Sequence, residues 1–133
     1  MTTALDTCVL LDYLLGEDDW PSRATAALRQ AFDLGSLILG EVVYAELMPR
    51  FASSAELNVV LDGLGIAFVP ASPQSAAVAG LAWAHYRRSG GPRTRLIADF
   101  LVGAHAVVFA DRLLTRDKQF YARRFPDLSI VEP

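Results

Sequence analysis

The chain is poor in the residues that thiolate and disulfide chemistry require: one cysteine, Cys8, and two histidines, His85 and His105, in 133 residues. One thiol permits no internal disulfide and suits a reducing compartment. His85 and His105 match no zinc-ligand spacing, so each reads as a satisfied or surface histidine. Cys8 has no evident histidine base and reads as a structural thiol, not a nucleophile. Long apolar runs are also missing. The longest, Phe100 to Ala110, is too short to span a bilayer and contains His105. No basic leader and cleavage site precede Val9 to Leu15, so the expectation is a cytoplasmic protein with no membrane partner. Internal repeats and low-complexity tracts are absent. What remains is 53% hydrophobic and 20% charged, a composition that excludes a disordered chain and supplies the core of one domain over residues 1–133.

Positive charge is scarce as well. The net charge is -3 and the pI about 5.2, which argues against a general nucleic-acid binder. The distribution is uneven: Arg87, Arg88, Arg93, Arg95, Arg112, Arg116, Lys118, Arg123 and Arg124 crowd the second half, against Arg23, Arg29 and Arg50 earlier. Screening confines such charges to roughly 10 Å in moderate salt, so a basic half can contact phosphates within a negative molecule. Solvated helix faces account for the same pattern equally well.

Strand and helix signals alternate. Thr3 to Leu5 is a short apolar strand stopping at Asp6, after which the spacing turns helical. The turn from Gly16 to Asp19 offers acids to cap a helix over Trp20 to Phe32, ended by Gly35. Ser36 to Leu39 suits a buried parallel strand. A helix opens at Gly40 and Glu41, and Pro49 ends or kinks it. Ala55 to Leu64 is a further helix and Ile66 to Val69 a third strand. Ser72 and Pro73 start a helix that reaches about Ser89, where Gly90, Gly91 and Pro92 break the chain. Helical spacing resumes from Thr94 to about Ala106, with Gly103 and Ala106 small enough for close approach to a neighbour. Val107 to Phe109 fits helix or strand. Leu113 to Thr115 is a fourth strand turning at Asp117, Gln119 to Phe125 a short helix, and Leu128 to Val131 a last strand. Such alternation predicts an α/β fold, a mostly parallel sheet of about five strands covered by helices on both faces.

Asp6 and Asp117 end strands, where open α/β sheets bind ligands. Glu46 shares the inward face of Val42 and Val43, and Asp99 that of Leu96, Val102 and Gly103. Taken singly, these acids have plain explanations: Asp6 and Asp117 as helix caps, Glu46 and Asp99 as partners of buried arginines. Asp12, Asp111 and Asp127 read as solvated or capping. Four carboxylates meeting in one pocket would raise one another's pKa, and Mg²⁺ or Mn²⁺ relieves that conflict with hard oxygen ligands.

Asp6-Thr7 after the first strand, Glu46 within Val-Val-Tyr-Ala-Glu-Leu, Asp99 within Ile-Ala-Asp-Phe-Leu-Val-Gly-Ala-His-Ala, and Leu-Leu-Thr-Arg-Asp ending in Asp117 together resemble a PIN domain. More narrowly, the chain resembles VapC-type toxins of toxin-antitoxin pairs along essentially its whole length. The resemblance implies a PIN-like three-layer sandwich. It also implies a Mg²⁺- or Mn²⁺-dependent endoribonuclease, a VapB-type antitoxin as partner, and a homodimer. On that reading Asp6, Asp99 and Asp117 bind the ion, while Glu46 ligates it or accepts a proton from the attacking water. Thr7 and Thr115 orient carboxylates or water, and Arg95, Arg116 and Lys118 meet RNA phosphates. Cys8 stands where the family often has asparagine or serine, and Gln119 where a further acid is common, so one tightly held ion is expected. Two other classes suit an acidic pocket on a parallel sheet. One is a phospho-accepting or aspartyl-phosphatase-like domain, whose phosphatase form wants a second acid at the position of Cys8. The other is a catalytically silent binding module.

Overall fold

The computed structural model describes residues 1–92 and 95–133. The expected helix start at Thr94, and Arg93 of the basic half, lie outside the described residues. Strands β1 (Thr2–Leu5), β2 (Ser36–Leu39), β3 (Ile66–Phe68), β4 (Arg112–Leu114) and β5 (Ser129–Val131) form one sheet in the order β3-β2-β1-β4-β5. Each neighbouring pair is parallel. Parallel strands are covered on both faces, which is why the central ones are apolar throughout: Ala4, Leu5, Leu37, Ile38, Leu39, Leu113 and Leu114 are all 5% exposed or less.

Seven helices cover the sheet: α1 (Thr7–Leu15), α2 (Trp20–Leu34), α3 (Glu41–Leu47), α4 (Ser54–Gly63), α5 (Pro73–Arg88), α6 (Ile97–Phe109) and α7 (Lys118–Arg124). The chain moves outward from β1 through β2 to β3, then crosses back to β4 and β5 on the other side of β1. Right-handed crossovers therefore place α1 to α4 on one face and α5 to α7 on the other, the three-layer α/β arrangement expected. Packing agrees, with α1 against α2, α5 against α6, and α6 against β1 and β4.

Local chemistry explains the helix ends. Asp6 caps α1, its carboxylate accepting from the Thr7 amide at 2.8 Å. Ser72 and Ser75 cap α5 reciprocally, with Pro73 in its first turn. Pro49 falls in a single 3₁₀ turn, Met48–Arg50, immediately after α3, because its ring is excluded from a helix interior. Val107 to Phe109 continue α6. The acids before α2 do not cap it: Asp19 makes no side-chain capping bond, its backbone (φ -97°, ψ 1°) lying outside the extended geometry a cap uses.

The face carrying α5 to α7 has its own aromatic centre. Buried Phe100 lies 5.1 Å from Trp83 and 5.3 Å from both Tyr86 and Phe120 between ring centroids. Beside it, Gly103 lets α6 approach the Phe125 ring so closely that a Cβ there would overlap it. Gly103→Ala is accordingly expected to lower stability by about 1–3 kcal/mol through overpacking, although alanine is the better helix former. Thermal melts check this; an unchanged Tm would show that the ring moves aside freely.

Candidate metal centre

Between β1 and β4 the strand order reverses, and such a switch point opens a crevice at the carboxyl ends of the strands. The ladder continues past the strands there. Asp6 N donates to the Leu114 carbonyl at 3.1 Å and Thr115 N to that of Val131 at 3.0 Å, setting the two chain ends side by side. Thr115 is fully buried. Its hydroxyl donates to Asp6 Oδ2 at 2.7 Å and accepts from the Asp117 amide at 3.0 Å. On the other side of Asp6, Oδ1 accepts from Thr7 N, and the Thr7 hydroxyl donates to Glu46 Oε1 at 3.1 Å. Glu46, Thr7, Asp6, Thr115 and Asp117 thus form one connected series. Asp99, in the first turn of α6, accepts from Leu96 N through Oδ2 at 3.3 Å and lies near enough to act electrostatically on Asp6 and Glu46.

Burial is the main cause that lifts the Asp6 carboxyl above its ordinary range. Repulsion from Asp99 adds to it, and the bonds from Thr115, Thr7 and Cys8 oppose it. Glu46 is raised in the same way, by desolvation first, with Asp6 and Asp99 repelling and Thr7 opposing. Glu46 does not face inward as its spacing suggests: the residue is exposed, and its carboxylate reaches back to buried Thr7. Burial pushes the Cys8 thiol up to about 11, so it stays protonated and donates to Asp6 Oδ2 at 3.6 Å. The Tyr121 phenol is raised by burial and then by Asp6, Asp99, Cys8 and Asp117 together. Sequence reading passed over Tyr121. The available signal was its place one helical turn after Asp117, whose carbonyl accepts from Tyr121 N.

The basic candidates separate. Arg95 Nη1 lies 2.7 Å from Asp117 Oδ2, and its guanidinium stacks 4.2 Å from the Phe120 centroid. Asp117 makes no side-chain capping bond. Arg116 turns to Asp12, both of whose oxygens accept from Nη1 at 3.0 and 3.2 Å, and it lies 3.5 Å over the Trp20 ring. Asp12 is therefore no solvated or capping acid. It is 8% exposed and ion-paired, because the α1 face that carries it is covered by the turn after β4. Asp111 accepts from Thr2 N at 2.6 Å. Lys118 sits 3.9 Å from Glu132. His105 is buried with a ring nitrogen 2.8 Å from the Val69 carbonyl, while His85 is exposed.

The donor set fits a hard divalent cation. The donors offered by Asp6, Glu46, Asp99 and Asp117 are carboxylate oxygens, two of these acids are raised by burial and mutual repulsion, and Arg95 reaches only Asp117 among them. Among the described residues no group of three or more His, Cys, Asp or Glu side chains stands close enough together to hold a metal ion.

Acids gathered at the switch point of a parallel sheet define the class: an α/β domain with an acidic site at the carboxyl ends of its strands. The sequence profile of the PIN domain matches residues 3–126, and the chain belongs to the PIN domain family. Solved structures share the fold. VapBC2 from Rickettsia felis, bound to a DNA fragment from their promoter, and VapBC-1 from nontypeable Haemophilus influenzae each contain a chain with a TM-score of 0.76 and 18% identity. Both comparisons cover 99% of this chain and 98% of the other. FitAcB from Neisseria gonorrhoeae gives a TM-score of 0.69 at 21% identity, covering 96% of this chain and 95% of that one. No curated protein sequence matches.

Two outcomes follow from these placements. A carboxyl whose folded pKa exceeds its unfolded value favours folding below the unfolded value and loses that contribution as pH rises through the folded one. Ionised Asp6 therefore destabilises the neutral protein. Asp6→Asn keeps a capping oxygen and should raise Tm at pH 7 by roughly 2–5 °C. The gain should vanish below pH 3.8, the ordinary Asp value; a lower Tm at pH 7 would overturn the assignment. Arg116→Ala leaves largely buried Asp12 unpaired and should cost about 1–3 kcal/mol, measured by denaturant unfolding.

Proposed function

We propose that this PIN domain is a metal-dependent endoribonuclease and the toxin of a VapBC-type pair, restrained by a VapB-type antitoxin. The observation that carries the reading is the threonine-linked series from the Glu46 and Asp6 carboxylates to the Asp117 backbone at the β1–β4 switch point, with Asp99 near enough to repel Asp6 and Glu46. Family membership supports nuclease chemistry, and the fold shared with chains of VapBC complexes supports the antitoxin as partner. A homodimer remains the expected assembly.

Asp6, Asp99 and Asp117 are the residues that would hold the ion, with Glu46 at the rim. A bound Mg²⁺ or Mn²⁺ supplies counter-charge to a phosphoryl oxygen and acidifies water. The chain's own part is positioning and proton transfer. Thr115 and Thr7 fix Asp6 from both sides, so its oxygens are directed before any ligand arrives. Cys8 and Tyr121 stay neutral in this field and add no charge to a site that must accept a cation. Glu46, with its carboxyl raised by desolvation and its Oε1 anchored by Thr7, is suited to take a proton from water at the crevice mouth. Asp117 is paired with Arg95, a guanidinium that can turn to a phosphate once Asp117 has another cation.

Incubation of structured RNA with the purified protein tests the proposal. Cleavage is expected with Mg²⁺ or Mn²⁺ and is expected to stop with EDTA. Asp6→Asn and Asp99→Asn should each reduce it on the order of 100-fold while remaining folded. Mn²⁺ should raise the Tm of the wild type by mass action and leave both variants unmoved. Retained cleavage by folded Asp6→Asn would refute the assignment, and trapping of an acyl phosphate would favour the phospho-accepting class.

A further inference from the structure

We propose that single-stranded nucleic acid runs from the acidic crevice into a basic, aromatic-floored groove between the C-terminal ends of α5 and α7, with Arg87, Arg123 and Arg124 holding its phosphates and Trp83 offering a base a stacking face. The inference rests on the nuclease reading above and adds where the substrate lies.

Two clefts, of about 330 and 590 Å³, adjoin there and share Tyr86 and Arg95. Asp117 lines the first, so the groove begins at one of the four acids. Its floor is aromatic and rigid. Tyr86 and Phe120 are 4% and 8% exposed, and both pack on Phe100 at 5.3 Å. Trp83 is half-buried and stacks on Tyr86, centroids 6.0 Å apart and planes 20° apart, which leaves part of the indole open to a ligand.

The cations rest on these rings. Arg87 Cζ lies 5.9 Å from the Trp83 centroid, Arg124 4.6 Å from Tyr86 and Arg95 4.2 Å from Phe120. Arginines at a helix C-terminus have a local reason to be there in the helix dipole. That reason does not explain why two helices end on the same groove, or why Arg95 joins them from the segment ahead of α6. Nor do acids explain them: among the described residues, Arg87, Arg123 and Arg124 take part in none of the ion pairs. A guanidinium stacked on a ring loses side-chain freedom while its N–H edge stays available for phosphate oxygens. Arg116 and Lys118, engaged with Asp12 and Glu132, differ in this respect.

A single strand is the occupant that uses both features. Duplex RNA presents phosphates but keeps its bases stacked, whereas an unpaired base can lie on an indole. An acidic peptide would use the cations and leave Trp83 without a role.

Fluorescence anisotropy with a short fluorescein-labelled oligouridine in EDTA measures binding without cleavage. The doubly substituted Arg87→Gln, Arg123→Gln protein should bind about 10-fold or more weakly. Each lost contact should take about 0.7 from the slope of log affinity against log salt. Trp83→Leu should weaken binding several-fold with the slope unchanged, and Arg29→Gln, on the opposite face of the sheet, should bind as wild type. Unchanged binding by the double variant, an equal loss in Arg29→Gln, or tighter binding of duplex RNA or polyglutamate would overturn the groove. If the wild type cleaves RNA while the double variant binds normally, the groove is wrong and the nuclease reading stands. If binding depends on the groove but no metal supports cleavage, the groove stands and the nuclease reading fails.

Discussion

The site depends on one buried hydroxyl. Thr115 is inaccessible to solvent, lies at the end of β4, and joins Asp6 from β1 to the backbone of Asp117. Two parallel strands held in register need nothing more to bring their following residues together, but register alone would leave the Asp6 carboxylate free to turn away from the β4 end. The hydroxyl removes that freedom without adding charge. Thr7 does the same on the other side of Asp6, reaching Glu46 on α3. A neutral donor on each side of a desolvated carboxylate lowers the cost of its burial while preserving the negative potential that a cation would neutralise. Burial first, and that potential second, raises both Asp6 and Glu46.

Much of this was legible along the chain because the relevant signals are local. A strand that stops at an acid, with helical spacing after it, announces both Asp6 and Asp117. Ser72-Pro73 announces α5, and Gly103 announces a close approach, here to Phe125. The sheet's parallel character follows from the alternation of strand and helix; its order, β3-β2-β1-β4-β5, does not, because no local signal says that the chain leaving β3 returns past β1. Sequence reading failed where the deciding partner is distant. Nothing near Asp12 predicts that Arg116 will cover it, and nothing near Asp117 predicts that Arg95 will turn to it. Helical periodicity placed Glu46 with Val42 and Val43, yet α3 is short and Glu46 lies in its last turn, where the residue is exposed while its carboxylate is held by Thr7. Tyr121 was passed over because a tyrosine in a short amphipathic helix reads as core, which it also is.

The uneven charge acquires a meaning that the total of -3 conceals. Acids gather at the switch point, and arginines gather on the aromatic face of α5 and α7. At physiological ionic strength charges act over roughly 8 Å, so these regions behave as separate surfaces joined at the Arg95–Asp117 pair. That pair brings the two signs into direct contact beside the crevice. A guanidinium there neutralises one carboxylate of the set, which eases the repulsion the acids exert on one another in the absence of a cation.

Asp6 and Asp12 show how differently two acids of the same short segment can be answered. One caps α1 and the other lies within it, and both are largely removed from solvent. Asp12 is answered by Arg116, whose guanidinium is itself held on Trp20; the charges cancel, and no unsatisfied oxygen remains to bind anything else. Asp6 is answered by two hydrogen-bond donors from threonines and by a thiol, all neutral, and Asp99 stands near it with the same sign. Replacing those neutral partners by an arginine would relieve the strain on the fold and would also fill the place a cation requires. The fold instead retains a carboxylate that burial and repulsion both oppose, and the stability to tolerate it comes from elsewhere. The apolar strands and the rings packed around Phe100 bury enough surface to carry it. On the proposed function, an acid left in that condition at the open end of a parallel sheet would take its counter-charge from outside the chain.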